Sequence, residues 1–349
     1  MLRRALYLRE SDSHSHYSSG GVIVRSLCVL VGAALLVAGC GRGVEQSDGN
    51  GRPTIVVTTS ILGDVVAEIV GDDAEVVTIM PVGASPHDFQ SSAREAAQIR
   101  DADALIVNGG GLEESLVDVI AGAVDDGVPT FEALDAVEAL HDDHEDDDHE
   151  DDDHEDDDHE DDGHGHDDHD HGNEDPHFFT DPVRMAEAVE GITDFLVDTV
   201  PALDGPLLHQ RADRYRAALE DLDLSIVALF ADLSPSSRVL VTNHEVFAYF
   251  AERYDFTVIG TVIPGSSTTD AASAGDLAAL ADAIERGGVP AIFADTSSPD
   301  RLARTLADEI GDVTVVELFS ESLGSAGSGA ETYVEMIETN ATRIADALR

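Results

Sequence analysis

No lysine occurs anywhere in this chain of 349 residues, and its 19 basic residues, all arginine, stand against 72 aspartates and glutamates. The resulting formal charge of -53 argues against nucleic acid as a partner, because phosphate binding needs clustered positive charge. It fits either life in high salt, where self-repulsion is screened, or a bias of composition unrelated to function. Cysteine is nearly as scarce. The two present, Cys28 and Cys40, both fall near the N-terminus, so beyond them no thiolate is available to a metal site. His-Glu-x-x-His is missing too. A zinc-dependent hydrolase would need an open coordination position and a general base, and Glu245 is the only base candidate near a histidine outside the acidic tract described below.

Long apolar runs are also few. One, residues 26–39, follows Arg25 and ends at Cys40. It is shorter than the ~20 residues of a comfortable membrane span and fits the apolar core of a secretory signal. Its end, Val37-Ala38-Gly39-Cys40, resembles the lipobox of bacterial lipoproteins. That likeness implies removal of residues 1–39, lipidation of Cys40, a tether over 40–52, and a cell-membrane location on the extracytoplasmic side. A signal-anchor helix with an incidental cysteine is the alternative. The first 20 residues do not look like the start of a signal, which points to Val22 or Val24 as the true start.

What is abundant is acid interleaved with histidine. From 141 to 174 the chain reads HDDHEDDDHEDDDHEDDDHEDDGHGHDDHDHGNE, with the unit His-Glu-Asp-Asp-Asp starting at His144, His149 and His154 and a variant at His159. Without an apolar residue from Asp142 to Asp175, nothing offsets the entropy lost on ordering, so a disordered loop is expected. Histidines near their ordinary pKa of ~6.5 each offer a nitrogen at neutral pH, and such tracts are compositional metal binders. Three roles stay open: weak capture of metal, sensing of its abundance, or a solvated linker.

The rest alternates. Short β-branched runs begin at 54, 75, 104 and 128, separated by helical patterns over 61–71, 91–100 and 112–123. After the tract come helical stretches over 183–200 and 207–233, then strands near 238, 256, 290 and 313 with helices between them, the first over 244–253, and a closing helix over 331–348. Strands that alternate with helices make parallel sheets with both faces covered. The ~27 residues of 207–233, at 1.5 Å each, would span about 40 Å, enough to pass from one domain to another. The expected architecture is α/β: two four-stranded parallel-sheet lobes, 53–140 with 175–205 and 235–349, joined by one long helix within 206–234.

Outside the tract and the leader only His87, His177, His209 and His244 remain. His209 lies within the long helical pattern and is expected at the surface. His87 and His244 follow expected strands, and His177 opens the ordered chain after the tract. Loops beyond the carboxyl ends of strands are where open α/β sheets hold ligands. Three histidines so placed are candidate metal ligands, although each alone fits an ordinary hydrogen-bonded role. With 72 acidic residues, composition cannot choose a carboxylate to join them.

Gly83-ASPHDF, Asp175-PHFFTDP, Thr242-NHEVFAYF and Leu318-FSESLGSAGSGAETY together resemble the solute-binding lipoproteins of bacterial zinc and manganese ABC importers, the cluster A-I type. The resemblance runs from Pro53 to the C-terminus. It implies a metal held between the two lobes, a rigid linking helix, and His87, His177 and His244 as ligands. It also implies a monomer that works with a membrane permease and an ATPase. The fourth ligand of that family is usually the Asp of Phe-Ser/Thr-Asp-Ser; here Glu321 stands in its place. Manganese members often carry Glu where this chain has His244, and zinc members often carry a His-rich loop before the second histidine. Zn2+ is therefore the expected cargo, with Mn2+ or a broader metal range, or a surface adhesin of the same fold, as alternatives. Three imidazoles and one carboxylate make a good four-coordinate zinc site with no position open for activating water. Asp88, Glu245 and Asp295 could orient the imidazoles, or be solvated or capping carboxylates.

Overall fold

The computed structural model describes residues 51–141, 174–269 and 271–349. The leader with Cys40, and the tract with His144, His149, His154 and His159, lie outside the described residues. Two four-stranded sheets, all parallel, form the frame. The first is built from β1 (Thr54–Val57), β2 (Glu75–Thr78), β3 (Ala104–Val107) and β4 (Thr130–Glu132) in the order β2-β1-β3-β4. The second repeats that order with β5 (Val239–Thr242), β6 (Thr257–Thr261), β7 (Ala291–Asp295) and β8 (Thr314–Leu318) as β6-β5-β7-β8. The inner strands β3 and β7 are buried throughout, as strands covered on both faces must be, which is why they read as unbroken apolar runs.

Helices α1 (Ser60–Val70), α2 (Ala93–Arg100), α3 (Val117–Asp125) and α4 (Pro182–Thr199) cover the first sheet, and α6 (Ala248–Tyr254), α7 (Ala274–Gly287), α8 (Arg301–Ile310) and α9 (Tyr333–Leu348) the second. Their starts are written in the sequence. Ser92, Ser273 and Thr332 each close a capping box with an acid three residues on, and Asp181 caps α4 ahead of Pro182, satisfying amide groups the first turn leaves open. In α4, Gly191 is required by packing: a Cβ there would stand 2.5 Å from that of Ala136.

Between the lobes runs α5 (Pro206–Phe230), the long helix expected from the apolar spacing. It buries Leu208, Ala212, Tyr215, Leu219, Leu222, Ile226 and Phe230 and packs on α1 and α4 in one lobe and α9 in the other. A single apolar core follows it, from Ile55 and Ile69 through Leu219 and Phe230 to Phe250, Phe293 and Tyr333. Because the lobes share this core, moving one against the other would uncover apolar surface at ~25 cal/mol per Å². Among the described residues no helix is long and apolar enough to cross a membrane.

Candidate metal centre

Each loop that leaves the carboxyl end of a strand toward the space between the lobes carries its side chain on a fixed backbone. After β2, Pro81 accepts from the amide of Ala84 at 3.0 Å, and Gly83 takes a φ of +84° that a side chain would resist; the turn delivers His87. After β5 the helix does not begin at His244, as the apolar pattern suggested, but at Ala248. The His244 carbonyl accepts from Thr242 Oγ1 at 2.7 Å and from the Val246 amide at 3.0 Å, while the Glu245 amide donates to Gly265 O. These bonds hold residues 243–246 as a loop and turn the ring inward.

His177 is placed by the ends of the acidic tract. His141 and Glu174 form an antiparallel bridge, the Asp175 amide donates to Leu140 O at 2.8 Å, and Tyr249 Oη donates to Asp175 O at 2.7 Å. Asn108, at the end of β3, donates to Pro176 O at 2.9 Å. Glu321 follows β8, where the side-chain amide of Asn340 both accepts from Phe319 N and donates to Phe319 O. One residue on, Ser322 Oγ lies 3.0 Å from Ser60 Oγ and accepts from the Gly83 amide at 2.7 Å. The Glu321 loop is thereby tied to the lobe that carries His87.

These loops bring His87, His177, His244 and Glu321 together, with one donor atom from each within 4.8 Å of the others. The three rings form a near-equilateral triangle, centroids 5.8, 5.7 and 5.5 Å apart. All four are buried, at 3% exposure or less. Glu321 Oε1 stands 2.6 Å from His87 Nε2, 3.0 Å from His244 Nε2 and 3.7 Å from His177 Nε2. Ligand atoms at the corners of a zinc tetrahedron with ~2.05 Å bonds are about 3.3 Å apart, so the carboxylate oxygen already stands near that spacing from the three nitrogens. His177 Nε2 is a buried atom without a hydrogen-bond partner, a state that costs free energy unless something else binds there. His209, by contrast, is exposed on α5.

Carboxylates behind two of the rings fix which nitrogen faces inward. His87 Nδ1 lies 3.0 Å from Glu114 Oε1 and His177 Nδ1 2.7 Å from Asp175 Oδ1. An Nδ1–H donated outward leaves the Nε2 lone pair for a metal. Burial works to lower the His177 pKa, but the charge and hydrogen bond of Asp175, with Glu321 behind them, outweigh it and raise it to about 9. Burial likewise pushes Glu321 up, and the imidazoles of His177, His244 and His87 hold it well below the usual carboxylate range.

Of the acids singled out beside the histidines, Asp88 is exposed. Glu245 lies half-buried beside a cavity shared with Asp175. Asp295 is buried next to Glu321. Glu114 gave no signal in the sequence; it sits 27 residues from His87, beyond the Gly109–Gly111 loop, and only the pairing of β1 with both β2 and β3 brings them together. Glu114→Gln and Asp175→Asn are each expected to weaken metal binding about 10- to 100-fold. Competition against a chromophoric chelator at about pH 9, where protons compete little for His177, measures this, and affinities unchanged within twofold there would remove both residues from the orienting role.

Residues 55–347 match the model of the family described as ZnuA, zinc-uptake complex component A, periplasmic. Among curated relatives, the manganese-binding lipoprotein MntA of Halalkalibacterium halodurans is 28% identical over 89% of this chain and 94% of its own length. The zinc-binding protein TroA of Treponema pallidum is 28% identical over 88% of this chain and 92% of its own. The solved structure of the Treponema pallidum periplasmic zinc-binding protein TroA superposes with a TM-score of 0.72 at 27% identity, covering 85% of this chain and 99% of that one. The buried histidine and carboxylate cluster thus sits in a two-lobed fold shared with metal-binding proteins. The chain belongs to the ZnuA family, the metal-binding substrate-binding proteins of ABC importers, which deliver a cation and are not enzymes.

Proposed function

We propose that the delivered cation is Zn2+ and that His87, His177, His244 and Glu321 are its ligands. The observation that carries this is the donor set: three imidazole nitrogens and one carboxylate oxygen converge within 4.8 Å in a buried space. Borderline-soft zinc accepts three nitrogens in a tetrahedron, whereas manganese favours oxygen. With Zn2+ bound, the centre carries a net charge near +1. The four donors close the coordination sphere, so the site stores a cation instead of activating water. All four come from one chain, which supports a monomer.

As a substrate-binding protein of an ABC importer the chain works with a membrane permease and an ATPase. Its place there follows from the Val37-Ala38-Gly39-Cys40 sequence: Cys40 carries the lipid and residues 40–52 the tether, on the extracytoplasmic face. The tract with His144, His149, His154 and His159 acts as an accessory, weaker zinc binder that feeds the buried centre. In support, its two ends meet at the bridge of His141 with Glu174, three residues before His177.

Competitive zinc and manganese titration of residues 41–349, with and without residues 142–170, tests both parts. One tight zinc site that survives the deletion, with fewer total metals bound and weak manganese binding, is the expected outcome. Tight manganese binding would overturn the zinc assignment. Loss of the tight site on deletion would make the tract part of the main centre and end the division of roles.

A further inference from the structure

Glu321 has two carboxylate oxygens and only one of them faces the imidazoles. While Oε1 meets the three Nε2 atoms, Oε2 is turned toward Ser297, whose Oγ lies 3.5 Å away, the outer limit for such a contact. The same hydroxyl donates to Asp295 Oδ2. Strand pairing builds this arrangement. Asp295 is the last residue of β7 and pairs with Leu318, the last of β8, and the Thr296 amide donates to Leu318 O at 3.0 Å. The turn that bears Ser297 is thereby set beside the segment that bears Glu321. Asp295 is 3% exposed, and its other oxygen, Oδ1, is buried with no hydrogen-bond partner among the described residues. A buried carboxylate left half-satisfied is costly, so its retention here calls for a role.

We infer that Asp295 and Ser297 are positioning residues that determine metal specificity, by holding Glu321 to a one-oxygen presentation. The inference rests on the zinc assignment above. The one hydroxyl proton of Ser297, held in place by Asp295 and shared between the two carboxylates, ties Oε2 to the protein and leaves Oε1 alone for the cation. With Oε2 tied, the centre has four donors, three nitrogen and one oxygen, which suits zinc. With Oε2 free, Glu321, one methylene longer than an aspartate, can turn and chelate through both oxygens. That raises the coordination number and the oxygen share, the direction that favours manganese. Asp295 acts through Ser297 and not as a ligand: it is not among the residues whose donor atoms share the 4.8 Å cluster.

The test compares the full mature chain with Ser297→Ala, Asp295→Asn and Ser297→Thr. Zinc and manganese affinities give the selectivity ratio, and the visible spectrum of the Co2+-loaded protein reports coordination number, since four-coordinate cobalt absorbs far more strongly than five- or six-coordinate cobalt. Ser297→Ala is expected to lower the zinc-to-manganese ratio by about tenfold or more and to weaken the cobalt bands. Asp295→Asn, which preserves volume, should move both in the same direction, and Ser297→Thr, which keeps the hydroxyl, should leave them unchanged. Unchanged ratio and spectrum in both Ser297→Ala and Asp295→Asn would overturn the inference. So would an equal loss of affinity for the two metals, the mark of a merely structural role. A manganese preference in the unsubstituted protein would sink the zinc assignment and this inference together, and would be visible before any substitution was made.

Discussion

Zinc affinity is expected to fall by about two to three orders of magnitude in His244→Ala, and the same loss is expected for His87→Ala and His177→Ala. A structural zinc site is worth ~10–16 kcal/mol. Divided over four ligands that is about 2.5–4 kcal/mol each, or roughly 10²- to 10³-fold in the dissociation constant. His244 gives the cleanest version of the experiment. Its loop is held by backbone bonds to Thr242 and Gly265, not by its ring, so the truncation removes a ligand and leaves the chain path in place. Circular dichroism of the metal-free protein checks that. A His244→Ala protein that keeps zinc affinity within fivefold would show that this imidazole is no ligand. His244→Glu goes further, because it turns three nitrogens and one oxygen into two and two and removes the net positive charge of the loaded centre. Its zinc-to-manganese affinity ratio is expected to drop by at least about tenfold.

His87 and His244 were legible in the sequence because each follows a strand, readable as a β-branched run broken by a helical pattern, and His177 because it opens the patterned chain after the acidic tract. The long α5 was legible from the spacing of Leu208, Ala212, Tyr215, Leu219, Leu222 and Ile226. Glu321 was not, since one carboxylate among 72 has no local mark; the resemblance of Phe319-Ser320-Glu321-Ser322 supplied it, and the structure brings its Oε1 to the three rings. Glu114 escaped both routes. It orients His87 across two strand pairings, and its own neighbours, Glu113 and Ser115, show no periodicity. Glu113 beside it is buried and anchors the loop through Thr58 and the Asn108 amide, so adjacent identical residues serve a fold and a site. The start of α6 was misplaced for a related reason. Apolar spacing from Val246 to Phe250 is helical, but the His244 carbonyl is claimed by Thr242, a side chain that sits within the strand and whose hydroxyl has no signature in a hydrophobic pattern.

Zinc binding is expected to tighten as pH rises through neutrality and to release protons as it occurs. In the metal-free protein Asp175 and Glu321 hold the His177 pKa at about 9 despite burial, so near pH 7 the ring is an imidazolium, whereas a ligand must be neutral. For that one proton, affinity should fall about tenfold for each pH unit below about 9, near 100-fold between pH 8 and pH 6. The stability of the metal-free protein runs the other way. A histidine whose folded pKa lies above its unfolded value of ~6.5 stabilises the fold fully below that value and loses this contribution as pH rises through the folded pKa. The difference in Tm between loaded and metal-free protein should therefore widen from pH 6 to pH 9. Asp175→Asn removes the largest influence that raises His177, so its pH dependence should shift toward acid even as its affinity at high pH falls. Calorimetry in buffers of different ionisation enthalpy counts the protons released. Zinc binding at pH 7 without proton release, together with an affinity flat from pH 6 to pH 8, would mean that His177 is already neutral before the cation arrives. Asp175 would then only orient the ring, and the charge that Zn2+ brings would not be replacing a proton's.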